Sequence, residues 1–142
     1  MAGAGWSGPA PSVGARARRS RRVEAEDIAR FTEISGDRNP LHYDEAAARA
    51  SRFGEIVVQG GVTTALLNAL VAEQLPGPGS VFLRTDYRFE APVRPGDTLT
   101  AEAEVVAVRD DAPITTLRVQ ILRDDGTRVL SGTAVCYTMT LG

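Results

Sequence analysis

The chain has 142 residues, 43% of them hydrophobic and 24% charged, which is the composition of one globular domain large enough for its own core. A formal charge of −2, with one cysteine, one histidine and no lysine, excludes an internal disulfide, makes a zinc cluster untenable and removes Schiff-base and P-loop lysine chemistry. No apolar run is long enough to span a bilayer and no signal-peptide pattern heads the chain, so a cytosolic protein with no membrane contact is expected.

The charge is unevenly spread. Residues 1–22 hold five arginines and no acid, while the remainder is acidic. Lacking interleaved aromatics or a nucleic-acid motif, this basic stretch reads as a tail and an exposed strand, with no nucleic-acid partner expected. Residues 1–15, rich in Gly, Ala, Pro and Ser, are expected to be a disordered tail, and residues 16–142 to be the folded domain.

Arg16 to Val23 predicts a short polar strand. Ile28, Phe31 and Ile34 recur at helical spacing, which predicts an amphipathic helix over Ala25 to Ile34, ended by Ser35-Gly36. Gly36 to His42 reads as a loop, with Asn39 pushed away from helical geometry by Pro40. Asp44 can cap a second helix over Glu45 to Ser51. Gly60-Gly61 opens a third, from Val62 to Leu75, apolar on most sides and therefore expected to be buried nearly all round. Its polar exceptions Thr64 and Asn68 lie four apart and share a face. Pro76-Gly77-Pro78-Gly79 terminates it.

The rest is β in character. Over 81–91, Val81, Leu83, Tyr87, Phe89 and Ala91 are expected to face inward and Phe82, Arg84, Asp86, Arg88 and Glu90 outward. Over 98–109, Leu99, Ala101, Ala103, Val105 and Ala107 form one face. In 114–123, Leu117, Val119 and Ile121 alternate with Arg118 and Gln120. Asp124-Asp125-Gly126 signals a hairpin into the last strand, 128–140. Cys136 sits in an apolar strand-like run and reads as a buried core thiol. Antiparallel strands following one apolar helix imply an α+β fold with the sheet curved around that helix.

Any imidazole chemistry must use His42, five residues after Asp37. The two could form an acid–base pair, with Asn39 between them as an amide that holds a side chain or a substrate atom. The Gly60-Gly61 helix start offers free N–H groups and the positive end of the helix dipole to an oxygen gaining charge. Together these parts suit addition or removal of water β to a carbonyl. On spacing alone, the same segment also reads as a turn in which Asp37 caps backbone amides.

The run Phe31-x-x-x-Ser35-Gly36-Asp37-x-Asn39-Pro40-Leu41-His42-x-Asp44 resembles the signature of MaoC-like (R)-specific enoyl-CoA hydratases. Ala47, Ala50, Phe53 and Gly60 also fall where that family has its own residues. A second hallmark is Phe89-x-x-Pro92-Val93-x-Pro95-Gly96-Asp97-Thr98-Leu99. The resemblance covers about residues 18–140. It implies a single hotdog fold, a long central helix wrapped by a five- or six-stranded antiparallel sheet, and a homodimer with no cofactor and no metal. The partner it implies is an acyl-CoA or acyl carrier protein thioester. It also implies that His42 takes a proton from water as it attacks Cβ, that Asp37 protonates Cα, that Asn39 positions the pair, and that the Gly60 amide binds the thioester carbonyl.

The chain departs from the family at two places. Val58-Gln59-Gly60-Gly61 stands where Val-His-Gly-Met is common, and Asn68 stands where a serine often does. Gln59, Gly61, Thr64 and Asn68 are therefore expected to line a substrate pocket more polar than a plain fatty-acyl one. Arg84, Arg88 and Arg94 read as solvated strand charges, with CoA phosphates or an acidic carrier as the other reading. Two alternatives to a hydratase are a hotdog thioesterase, which needs a carboxylate near the central helix where only Glu73 is offered, and a non-catalytic acyl-binding module.

Overall fold

Fourteen residues, Gly60–Glu73, form the longest helix of the chain, and the rest of the fold is arranged around it. The computed structural model describes Trp6 and residues 10–142. In chain order the elements are β1 (Arg16–Arg22), α1 (Glu26–Ser35), α2 (Pro40–Tyr43), α3 (Glu45–Ala50), α4 (Gly60–Glu73), β2 (Ser80–Phe89), β3 (Thr98–Val108), β4 (Ile114–Arg123) and β5 (Arg128–Thr138). The tail expected over 1–15 falls largely on residues 1–5 and 7–9, outside the described residues. At its end, Gly14 already donates to the Val105 carbonyl and Ala15 accepts from the Val105 amide.

The five strands make one antiparallel sheet in the order β1-β3-β4-β5-β2. One face of β3, β4 and β5 carries Leu99, Ala101, Ala103, Val105, Leu117, Val119, Ile121, Leu130, Ala134 and Cys136, all buried. The alanines keep the middle of this face low. Leu66, Leu67, Leu70 and Val71 of α4 fill the space and join the same core, the interdigitation that native packing density requires. The outer face is polar, with Arg16 and Arg118 both paired to Glu104.

Three expectations are corrected. First, α4 is not buried all round: Ala65, Asn68 and Ala72 are exposed and share one side, while the sheet covers the other. Second, the inward–outward order expected in β2 is reversed along its first half. Leu83 is the extra residue of a bulge between Phe82 and Arg84. Phe82 packs on the core, whereas Val81 and Leu83 are 42% and 56% exposed. A bulge shifts the side-chain alternation by one, and β2 is an edge strand, where bulges concentrate. A second bulge between Val105 and Ala107 likewise turns Ala107 outward. Third, Ile34 does not continue the apolar stripe of α1. It is 86% exposed, and the buried residues of that helix are Asp27, Ile28 and Thr32.

Two further features position the site. The segment taken for a loop up to His42 contains the four-residue helix α2, with Pro40 at its first turn and Asn39 as its cap. The Pro95-Gly96-Asp97 turn is tied to the end of β1, with Gly96 donating to the Val23 carbonyl and Val23 to the Asp97 carbonyl. The adjoining Val93 carbonyl accepts from the Val58 amide, so the turn braces the strand of chain entering α4. Among the described residues no helix is long and apolar enough to cross a membrane.

Candidate active site

The left-handed backbone at Gly36 (φ 78°) stops α1 and sends the chain back over it. Such a φ suits glycine because it has no Cβ. The Asp37 amide donates to Ser35 Oγ at 3.0 Å, and Asp37 Oδ1 accepts from the Asn39 amide at 3.0 Å. Asn39 Oδ1 in turn accepts from the Leu41 amide at 3.1 Å, and the Asn39 carbonyl accepts from the His42 amide. Asn39 thus acts on His42 through the helix it caps. Asp44 repeats the device for α3, accepting from Ala46 and Ala47.

The His42 ring is largely buried, and its Nδ1 lies 2.6 Å from the Val57 carbonyl oxygen. A carbonyl can only accept, so Nδ1 carries the proton and Nε2 of the neutral ring carries a lone pair. Nε2 faces Asp37 Oδ2 at 3.7 Å. That separation is too long for a good direct hydrogen bond, yet one water oxygen could reach both atoms.

His42 and Gly60 line the same cavity, of about 650 Å³, together with Thr63, Phe53, Phe89 and Val93. At the head of α4, Gln59 is the cap but gives no side-chain capping bond. The Gly60 and Gly61 amides find no acceptor among the described residues. These N–H groups are those the first turn of a helix leaves unsatisfied, and the helix dipole adds to them. A Cβ on Gly60 would come within 3.0 Å of the Phe89 ring, and one on Gly61 would overlap the Phe31 ring. Glycine is therefore needed here for close approach. The cavity can hold an apolar chain between His42 and Gly60, and Asp37 reaches it only through His42, whose Nε2 lies 3.7 Å from the Asp37 carboxylate.

The four pocket residues expected from the sequence, Gln59, Gly61, Thr64 and Asn68, are not brought together on the cavity wall. Gln59 is 1% exposed and points away from the cavity, its Nε2 donating to the Ile28 carbonyl and to Thr32 Oγ1. The space at Gly61 is taken by Phe31. Thr64 bonds back to the Gly61 carbonyl at 3.3 Å, and Asn68 lies on the exposed side of α4. The hydroxyl residue on the cavity wall is Thr63. Because α4 begins at Gly60, position 63 shares its face, and the i, i+3 rule applied from Gly60 would have found it. Thr32, Tyr43 and the Val57 carbonyl were also missed. Only Thr32 left a signal, a hydroxyl four residues from Ile28 on the buried side of α1.

Burial raises the Asp27 carboxyl, but hydrogen bonds from Arg21, the Glu24 amide and Arg30 outweigh it and bring the group down to about 2. Burial pushes the Cys136 thiol up to about 11, so it is inert near neutrality. No cluster of candidate metal ligands occurs among the described residues.

A single long helix wrapped by an antiparallel sheet, with the Asp37–His42 loop near the start of that helix, defines a hotdog-fold protein. Residues 8–124 match the family described as MaoC like domain, and the chain belongs to that family. It is 42% identical over 123 residues to an (R)-specific enoyl-CoA hydratase of Aeromonas caviae, covering 87% of this chain and 92% of the relative. A 3-hydroxybutyryl-CoA dehydratase of Methylorubrum extorquens is 39% identical over 85 residues, covering 60% of this chain and 54% of that protein. The solved structure of an (R)-hydratase from A. caviae involved in PHA biosynthesis superposes with a TM-score of 0.85 at 41% identity, covering 90% of this chain and 97% of that one.

Proposed function

We propose that the protein is a hydro-lyase that reversibly adds water, in syn fashion, to a trans-2-enoyl thioester, giving the (3R)-hydroxyacyl thioester. The observation that carries this reading is the Nε2 lone pair of His42, 3.7 Å from Asp37 Oδ2, on a cavity it shares with the uncapped start of α4. Water held by the pair attacks Cβ as His42 takes one of its protons. Asp37 takes that proton from the imidazolium and delivers it to Cα, which returns both groups to their starting state. The Gly60 amide stabilises the enolate oxygen in between. Asn39 keeps the pair in place from the cap of α2. The names of the relatives support a CoA thioester as substrate. Such chemistry suits the cytoplasm.

A homodimer accords with the exposed Val81 and Leu83 of the edge strand β2, since an unpaired apolar edge invites a second copy. The thioesterase reading has little support, because Glu73 is exposed at the opposite end of α4 from Gly60. The test is to mix the protein with short trans-2-enoyl-CoA thioesters and follow the conjugated chromophore and free thiol together. Loss of chromophore without thiol release is expected. Thiol release in step with chromophore loss would overturn the reading in favour of hydrolysis.

A further inference from the structure

Beneath the acid–base loop lies a buried polar knot that the reaction as described does not use. Its centre is the Thr32 hydroxyl, in a residue only 6% exposed. Thr32 Oγ1 lies 2.8 Å from the Asp37 carbonyl and 3.0 Å from the Ile28 carbonyl, and it also meets Tyr43 Oη and Gln59 Nε2, the latter at 3.2 Å. Proton counting assigns the directions. The two carbonyls can only accept, so they share the single Thr32 proton. The Gln59 amide nitrogen can only donate, so Tyr43 must donate its own hydroxyl proton to Thr32. Every donor and acceptor role of one hydroxyl is then filled.

The partners are what give the knot meaning. One is the main chain of Asp37 itself. Another is Tyr43, which directly follows His42. A further partner is Gln59, the cap of α4, which directly precedes Gly60 on the cavity wall. One hydroxyl therefore joins the immediate neighbours of the acid, the base and the oxyanion donor.

We propose that Thr32 is a positioning residue for the hydration reaction. With Gln59 and Tyr43 as its struts, it sets the spacing between the Asp37/His42 pair and the head of α4. This rests on the function proposed above. It also assigns a use to Gln59, where the chain departs from its family, since a glutamine amide can bond the Ile28 carbonyl and Thr32 at once while capping nothing. Apart from the knot, the Phe31 ring against Gly61 also joins α1 to α4.

The experiment uses the full chain and trans-2-butenoyl-CoA as substrate, with saturated butanoyl-CoA as an unreactive probe of binding. Thr32→Val, which keeps shape and removes the hydroxyl, should lower kcat by about tenfold or more, since displacement of catalytic groups by a fraction of an ångström to an ångström has that scale of cost. Stoichiometric binding of butanoyl-CoA should persist with a Kd within about threefold, which separates mispositioning from loss of folded protein. Thr32→Ser should recover most of the rate, and adding Gln59→Met to Thr32→Val should cost little more, as expected for members of one network. Hydrogen exchange of the amides of residues 37–43 should speed up in Thr32→Val whether or not any enoyl thioester is a substrate. A Thr32→Val protein with unchanged kcat, or a Thr32→Ser protein as impaired as Thr32→Val, would overturn the proposal. So would unchanged exchange over 37–43. Should Thr32→Val fail to fold, Thr32→Ser and Tyr43→Phe take the same readouts, and wild-type rate and exchange in Tyr43→Phe together with an impaired Thr32→Ser would overturn it. Wild-type protein inactive on every enoyl thioester would instead count against the function, leaving the exchange measurement to decide the knot.

Discussion

On one side of the cavity, residues 32–43 are held by side chains: Asn39 caps α2, Ser35 and Asn39 fix Asp37, and Thr32 binds the loop from below. On the other side, α4 begins with two glycines, no side-chain cap and amides that find no acceptor among the described residues. The difference follows from what each half has to offer. An acid and a base act through their own side chains, which must be oriented by others. An oxyanion donor acts through the backbone, and there a side chain would only fill the place of the substrate. The first half should therefore respond to substitutions that change chemistry, and the second to substitutions that change volume.

The largest effect is expected at the pair. His42→Ala and Asp37→Asn should each lower hydration of trans-2-butenoyl-CoA by about 10²–10⁴-fold, the range for lost acid–base catalysis, with little change in melting temperature. A melting temperature that falls in step with activity would break the comparison. Gly61→Ala should do the reverse in kind. Its methyl group would overlap the Phe31 ring, and thermal unfolding should report a loss of about 1–3 kcal/mol. Phe31→Leu in the same chain should recover part of it. Gly60→Ala should be milder in stability, because the Phe89 ring it meets at 3.0 Å is 61% exposed and can move aside.

Acid should separate the halves further. Asp27 anchors the start of α1 to Arg21 and Arg30, and its folded pKa of about 2 lies below the ordinary 3.8. A depressed carboxyl stabilises the fold above its unfolded pKa, and that contribution disappears as pH falls from about 4 through about 2. It is worth about 1–2 kcal/mol once the exposure of both arginines is allowed for. Asp27→Asn should flatten this part of the stability–pH curve, and a curve that keeps its slope would remove the assignment. The smallest effect is expected at Cys136, where iodoacetamide at pH 8 should label the native protein far more slowly than the unfolded chain, because the thiol is buried and its pKa is raised.

Much of this architecture could be read from the residues. The α4 run between Gly60-Gly61 and Pro76-Gly77 had the length, composition and stops of a buried helix, and strands such as 114–123 alternate plainly. The Asp37-to-His42 segment announced itself because turn-forming residues enclosed the one imidazole. Three things were not legible. The order of β2 was lost at Leu83, since a bulge leaves no fixed mark in composition. The open stripe of α4 was hidden because Ala65 and Ala72 look the same buried or exposed. Gln59 reads as a pocket residue because it stands where the family commonly has a histidine, but the direction of its side chain is set by the Ile28 carbonyl and Thr32 on another helix.

Pro40, at the first turn of α2, has a further consequence. Its ring fixes φ near the helical value before the chain has folded, and it constrains Asn39 as well. The unfolded chain thus explores fewer shapes in the one stretch where Asp37 and His42 lie. The entropy of ordering that stretch is lost largely when the protein folds, so little of it remains to be lost each time a substrate arrives. A proline two residues before the imidazole thereby gives the enzyme a loop that is ready between turnovers.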